Sequence, residues 1–165
     1  MANIITESGM DFIADNSFHI EKSGIYTKLG QGIRSIEFVR VKDEKLLFIE
    51  AKTTFPNPNN PSMENLNKFQ SEINEICDKF IHSLNLFSSV TVGVAENAFP
   101  ISFVLPEKTS MKFILVIKNH ESKWCRIIKT AITCALPLYL KEIWKPEVFV
   151  VNQTVATEQG LTIVN

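Results

Sequence analysis

Glu50 and Lys52 stand two residues apart at the end of an apolar run, Leu46-Leu-Phe-Ile-Glu-Ala-Lys-Thr-Thr54. Read as a strand, the run alternates faces. Glu50 and Lys52 then share a face with Leu46 and Phe48, while Leu47, Ile49 and Ala51 take the other. A carboxylate and an ammonium in so apolar a setting must be paired or put to use, because isolated buried charge is costly. Residues 35–42 precede it as a second run, and Lys42-Asp-Glu-Lys45 joins the two as a hairpin. With the turn centred on Asp43-Glu44, Lys42 meets Lys45 and Val39 meets Phe48, so Glu37 falls opposite Glu50 and Ser35 opposite Lys52.

Facing Cβ atoms in such a ladder lie roughly 4.5–5.5 Å apart, and like charges there destabilise it. Two carboxylates so placed call for a shared proton, a neighbouring lysine or a divalent cation. Oxygen ligands at a partly solvated strand end favour Mg2+ or Mn2+ over zinc. The plainer reading is an edge-strand ion pair on a wet sheet face, worth about 0–1 kcal/mol. Glu37 argues against it, since it adds a second negative charge with no evident second cation.

Other chemistry-bearing residues are less organised. His19, His82 and His120 form no HxH or HxxxH pattern and read as surface or satisfied core histidines. The three cysteines, Cys77, Cys125 and Cys134, lack CxxC spacing, which excludes a disulfide framework or zinc site. No serine–histidine–acid signature supports acyl transfer. Lys118, Lys123, Arg126 and Lys129 read as a solvated helix face, and Gly30-Gln-Gly32 lacks the third glycine of a dinucleotide loop.

The elements that must position the hairpin follow from periodicity. Residues 1–15 carry a weak helical pattern, residues 17–22 alternate as a short strand ended by Gly24, and residues 29–33 read as a flexible turn. After the hairpin, Pro56, Pro58 and Pro61 among asparagines break regular structure. Pro61-Ser62 then opens a long helix, in which Leu66, Phe69, Ile73, Ile76, Phe80, Leu84 and Phe87 form one buried stripe. Short strands are expected at 90–94 and 101–105, and a strong buried strand at 111–118. A helix from 123 to about 144, kinked by Pro137, and a closing strand at 147–152 complete the chain. The order is helix, three strands, helix, strand, helix, strand: an α/β sandwich with a partly parallel, mixed central sheet flanked by helices.

An acid on one strand and Glu-x-Lys on the next, separated by a short hairpin, resembles the PD-(D/E)XK nuclease superfamily. Glu37 matches the first acid, and Glu50 and Lys52 match the (D/E)xK pair. The resemblance covers most of the chain and implies the restriction-endonuclease-like fold and metal-dependent phosphodiester hydrolysis in DNA or RNA. It implies that Glu37, Glu50 and the Ala51 carbonyl hold Mg2+ or Mn2+, while Lys52 orients or activates the attacking water and steadies developing charge. Some members carry a glutamate on the first helix, a place Glu7 would fill. Glu21 on the first strand is a further candidate carboxylate. Gln70 matches a glutamine that some branches carry on the helix after the motif. Two departures stand out: Ile36 replaces the usual preceding proline, and Glu37 replaces the commoner aspartate. They sustain a competing reading, a non-catalytic module of the same fold that binds protein or nucleic acid in a larger assembly.

Composition narrows these readings. The 165 residues are 45% apolar and include 12 Phe, which fits one soluble globular domain over residues 1–165 and excludes disorder. Seventeen Lys plus Arg against 18 Asp plus Glu give a net charge of -1, which excludes polyanion binding by bulk positive charge. The start of the chain shows no secretory pattern and no apolar run approaches a membrane span, so a reducing cytoplasm is the expected home. Nucleic acid is the expected partner, DNA before RNA, with a homodimer or protein partner to select the target.

Overall fold

The computed structural model describes residues 2–29 and 32–164. The chain opens as a hairpin where a helix was expected. Strands β1 (Ile4–Glu7) and β2 (Met10–Ile13) pair antiparallel across Ser8 and Gly9, whose φ angles of 50 and 69 match the mirror-image turns that hairpins favour. The irregular apolar spacing that looked weakly helical is the two-residue alternation of two short strands interrupted by that turn. The strand expected at 17–22 shrinks to β3 (Ser17–Phe18). A 3-10 turn at Ile20–Lys22 and the short helix α1 (Gly24–Leu29) follow it. The centre of the turn expected at 29–33, Gly30-Gln31, lies outside the described residues.

The central hairpin consists of β4 (Phe38–Lys42) and β5 (Lys45–Lys52). Helix α2 (Met63–Thr91) starts at Ser62, whose side chain accepts from the Asn65 N–H and so satisfies one orphan donor of the first turn. The helix runs on to Thr91 and residues 92–94 turn away, where a strand at 90–94 was expected. Residues 101–105 form a turn and irregular backbone instead of a strand, and the Asn16 amide brackets the Val104 backbone, donating to its carbonyl at 3.0 Å and accepting its N–H at 2.8 Å.

Strand β6 (Ser110–Ile117) precedes helices α3 (Ser122–Ala135) and α4 (Leu138–Ile143). Pro137 breaks the expected single helix outright, and Leu136 takes the extended conformation that a residue before proline prefers. Strand β7 (Glu147–Asn152) passes directly into α5 (Gln153–Glu158), which Asn152 caps by accepting the Val155 N–H, and β8 (Thr162–Ile163) ends the described fold.

Five strands form a mixed sheet in the order β3-β4-β5-β6-β7. The first three are antiparallel neighbours, and β5, β6 and β7 are parallel. The buried stripe of α2 and the inner face of α3 cover one side, where Phe80 stacks on Phe113 at 4.4 Å. On the other side Leu47, Ile49, Ala51, Ile114 and Val116 lie under Met10 and Phe12 of the small β1-β2-β8 sheet and Ala156 of α5. Among the described residues, no helix is long and apolar enough to cross a membrane.

The approach to β4 is held by α2 and not by β5. The Ile36 N–H donates to the buried Ser83 hydroxyl at 2.9 Å, and the Arg34 N–H donates to His82 Nδ1 at 3.0 Å. These bonds fix the backbone immediately before Glu37. Ser83→Ala leaves the Ile36 N–H buried without an acceptor and is expected to destabilise the fold by about 1–3 kcal/mol, read as a lowered urea midpoint at unchanged slope.

Candidate metal centre

The hairpin register matches expectation: Lys42 pairs with Lys45, Val39 with Phe48, and the ladder ends at Phe38–Ile49. Glu37 lies one residue beyond that end, in a bend, so the expected Glu37–Glu50 pair is not part of the ladder. Glu50 is wholly buried and Glu37 is 8% exposed. Three further side chains converge on Glu37. Glu7 comes from the end of β1, His19 from the link after β3, and Glu21 from the 3-10 turn. One ligand atom from each of Glu7, His19, Glu21 and Glu37 lies within 4.8 Å of the others. Around an octahedral cation with bonds of roughly 2.0–2.2 Å, neighbouring ligands stand roughly 3 Å apart and opposite ones roughly 4.2 Å, so these side chains need to close in only slightly to reach a common ion.

Burial and crowding set its protonation. The Glu37 carboxyl is pushed up to about 9, first by burial, then by the adjacent Glu21 carboxyl with which it can share a proton, and then by the charges of Glu50, Glu21 and Glu7. Burial raises Glu50 to about 7, although Lys79 opposes the shift. His19 is lowered by burial and by Lys22, which leaves a neutral imidazole near neutral pH. Its Nε2 stands 3.3 Å from Glu7 Oε1 without the alignment of a hydrogen bond. Oε2 of Glu37 and Oε2 of Glu50 are both buried without a hydrogen-bond partner.

The lysines are arranged crosswise between β5 and α2. Lys52 Nζ from the strand reaches Glu72 at 2.9 Å and Glu75 at 3.0 Å on the helix. Lys79 Nζ from the helix reaches Glu50 Oε1 on the strand at 2.6 Å. Burial works to lower the Lys52 pKa, but its bonds to Glu72 and Glu75 outweigh this and the net shift is upward. Lys52 is therefore held as an ammonium and has no capacity to accept a proton at neutral pH. Arg34 adds a weaker contact to Glu75 at 3.9 Å.

The residues singled out from sequence divide accordingly. Glu37 and Glu50 are both buried, but Glu50 is not among the residues that close on Glu37; Glu21 and Glu7 join Glu37, though from a 3-10 turn and a strand instead of a strand and a helix. The Ala51 carbonyl accepts the Ser8 hydroxyl at 3.1 Å, which leaves one lone pair for any further ligand. Gln70 is exposed and donates to Asn74 on the outer side of α2. Sequence reading missed His19, whose partners are remote in the chain, and it missed the polar stripe of α2. Glu72, Glu75, Lys79 and Ser83 recur at three- and four-residue steps alongside the apolar stripe, and that spacing is the signal that would have found them.

The chain matches no protein-family model, no curated protein and no solved structure.

Both raised carboxyls bind protons more tightly in the fold than in the unfolded chain, whose carboxylates titrate near 4.5. Their contribution is full below that value. It is lost as pH climbs through about 7 for Glu50 and about 9 for Glu37, because unfolding then releases protons. Metal-free protein is accordingly expected to lose stability from pH 5 to pH 9. Glu37→Gln, which cannot ionise, is expected to flatten that decline in urea titrations run with a chelator.

Proposed function

We propose that this chain is a divalent-metal-dependent nuclease with a restriction-endonuclease-like architecture, cleaving phosphodiester bonds in DNA or RNA. The observation that carries the reading is the Glu7–His19–Glu21–Glu37 cluster, in which the buried Glu37 Oε2 has no hydrogen-bond partner. Buried anionic oxygens without donors are rare in folded proteins, and a divalent cation satisfies several of them at once. The mixed sheet, with a hairpin feeding a parallel crossover through α2, supports the likeness in architecture.

The donor set fits such an ion. Glu37, Glu21 and Glu7 supply hard oxygen ligands and neutral His19 one nitrogen, a mixture that suits Mn2+ at least as well as Mg2+, with the buried Glu50 as the further acid that the motif resemblance names. When bound, the cation lowers the pKa of a water and neutralises charge on the phosphoryl group. The chain's own residues do the rest. Ser83 and His82 hold the backbone that aims Glu37. Glu72 and Glu75 hold the Lys52 ammonium at the mouth of the site, where it is suited to steady phosphoryl oxygens and not to take a proton. Without a cation the carboxylates repel a polyanion, so substrate binding as well as cleavage depends on the metal.

One observation favours the competing reading of a non-catalytic module. Lys52 is already engaged by two carboxylates and is only 21% exposed, so a substrate must compete for it. Cleavage assays on labelled duplex and single-stranded DNA and RNA with Mn2+ or Mg2+ decide between the two. The nuclease reading expects cleavage that falls at least about 100-fold in Glu50→Gln and in Lys52→Ala with folding retained. Equal activity of the wild type and both variants removes it.

A further inference from the structure

Of the four side chains that close on one another in the metal centre, Glu7, Glu21 and Glu37 offer carboxylate oxygens and His19 alone offers a nitrogen. His19 Nε2 is buried, has no hydrogen-bond partner and stands 3.3 Å from Glu7 Oε1. Glu37, at 8% exposure, has its Oε2 unpartnered within the same group. An orphaned nitrogen and an orphaned oxygen therefore occur together in one cluster, where hydrogen bonding satisfies neither and a shared cation would satisfy both.

The backbone that carries the imidazole is held on both sides. Phe18 and Ile20, at 3% and 0% exposure, anchor the chain in the core immediately before and after His19. The His19 carbonyl accepts the Lys22 N–H at 3.2 Å, and its ring meets Phe38 edge-on with centroids 6.5 Å apart. A ligand on so fixed a stretch of chain reaches an ion with little reorganisation. The other two histidines lie outside the group: His82 accepts the Arg34 N–H, and His120 packs on Trp124 and Phe55.

Ligand chemistry then decides which cation is favoured. Mg2+ is a hard ion that takes oxygen ligands and dehydrates reluctantly, so an imidazole adds little to its binding. Divalent ions of the first transition row gain from nitrogen, and the gain grows from Mn2+ to Co2+. We propose that His19 is the specificity-determining ligand of the metal centre: its nitrogen, joined to oxygens of Glu7, Glu21 and Glu37, makes this a site for a first-row transition ion in preference to Mg2+. The role rests on the metal-dependent reading above and adds to it the class of ion and a residue outside the Glu-x-Lys motif.

The experiment measures Mn2+, Co2+ and Mg2+ binding by calorimetry on folded wild type, His19→Gln and His19→Asp, and records the electron spin echo of bound Mn2+. The wild type is expected to show modulation from a directly coordinated imidazole nitrogen. Both variants are expected to lose that modulation and to lower the ratio of Co2+ to Mg2+ affinity at least about 10-fold, the loss falling on Co2+ while Mg2+ affinity holds. A histidine that only pairs with Glu7 would leave that ratio unchanged and the bound Mn2+ without nitrogen modulation. That result overturns the proposal and leaves the metal reading standing. Modulation that persists in both variants assigns the nitrogen to another residue and overturns the proposal equally. The spin echo of the wild type requires no variant, so lack of imidazole modulation there overturns the role of His19 even where neither variant folds. Absence of binding of all three ions to the wild type overturns the metal reading itself, and the role of His19 with it.

Discussion

A carboxylate at zero exposure dictates how this molecule is assembled around the end of β5. Glu50 lies between Ile49 and Ala51 and pairs along β6 with Leu115, positions at which an apolar side chain would pack without penalty. Taking one carboxylate out of water costs several kcal/mol even after relaxation, and a single lysine repays that only with good geometry. Burial accordingly wins over the Lys79 ion pair, and the Glu50 pKa stays raised. The fold bears this charge where a leucine would have been cheaper, and it places a second buried glutamate, Glu37, within reach of the same field. On the proposed reading, a cation would relieve such buried acids where water cannot.

Helix α2 is the element through which the rest of the chain answers that constraint. Its apolar stripe seals the sheet through Phe80 and Phe87, so its axis and rotation are fixed by packing. Rotation being fixed, the neighbouring stripe must face the ends of β4 and β5. There Glu72 and Glu75 take Lys52, Lys79 takes Glu50, and Ser83 and His82 take the backbone of Ile36 and Arg34. Each of these contacts is modest in isolation. Together they tie strand ends to helix in a single register, because a one-turn slip of α2 would break all of them at once. The core and the polar site are thus two sides of one helix placement.

The half of the site that lies on the hairpin was legible from residue order because it depends on short-range rules. Strand alternation and a two-residue turn at Asp43-Glu44 determine the pairing of Val39 with Phe48, and the ladder stops at Phe38 with Ile49, one residue short of setting Glu37 against Glu50. The other half arises from contacts between segments distant in sequence. Glu7 arrives because the β1-β2 turn at Ser8-Gly9 packs over β5, where Ser8 donates to Ala51. His19 and Glu21 arrive because the chain leaves its strand after Phe18 and tightens into a 3-10 turn. No local pattern records where those turns land. The helical expectation for residues 1–15 failed for a related reason: β1 and β2 are four residues each, too short for alternation to outweigh irregular apolar spacing.

Near-neutral composition acquires a specific meaning once these positions are known. With 17 basic and 18 acidic residues the chain has no surplus of positive charge for a polyanion. Its acids are also unevenly placed: Glu7, Glu21 and Glu37 gather with His19, Glu50 is buried near the end of β5, and Lys52 and Lys79 are bound by partners within the fold. The metal-free face therefore repels a phosphate backbone at the very place where the proposed reaction would occur. A divalent ion reverses that local balance without altering the remainder of the surface. In the proposed reaction, affinity for nucleic acid and competence for hydrolysis then switch on together, driven by occupancy of one centre. On that proposed reading sequence-independent attraction stays weak, and selection of a target would fall to a second copy of the chain or to another protein.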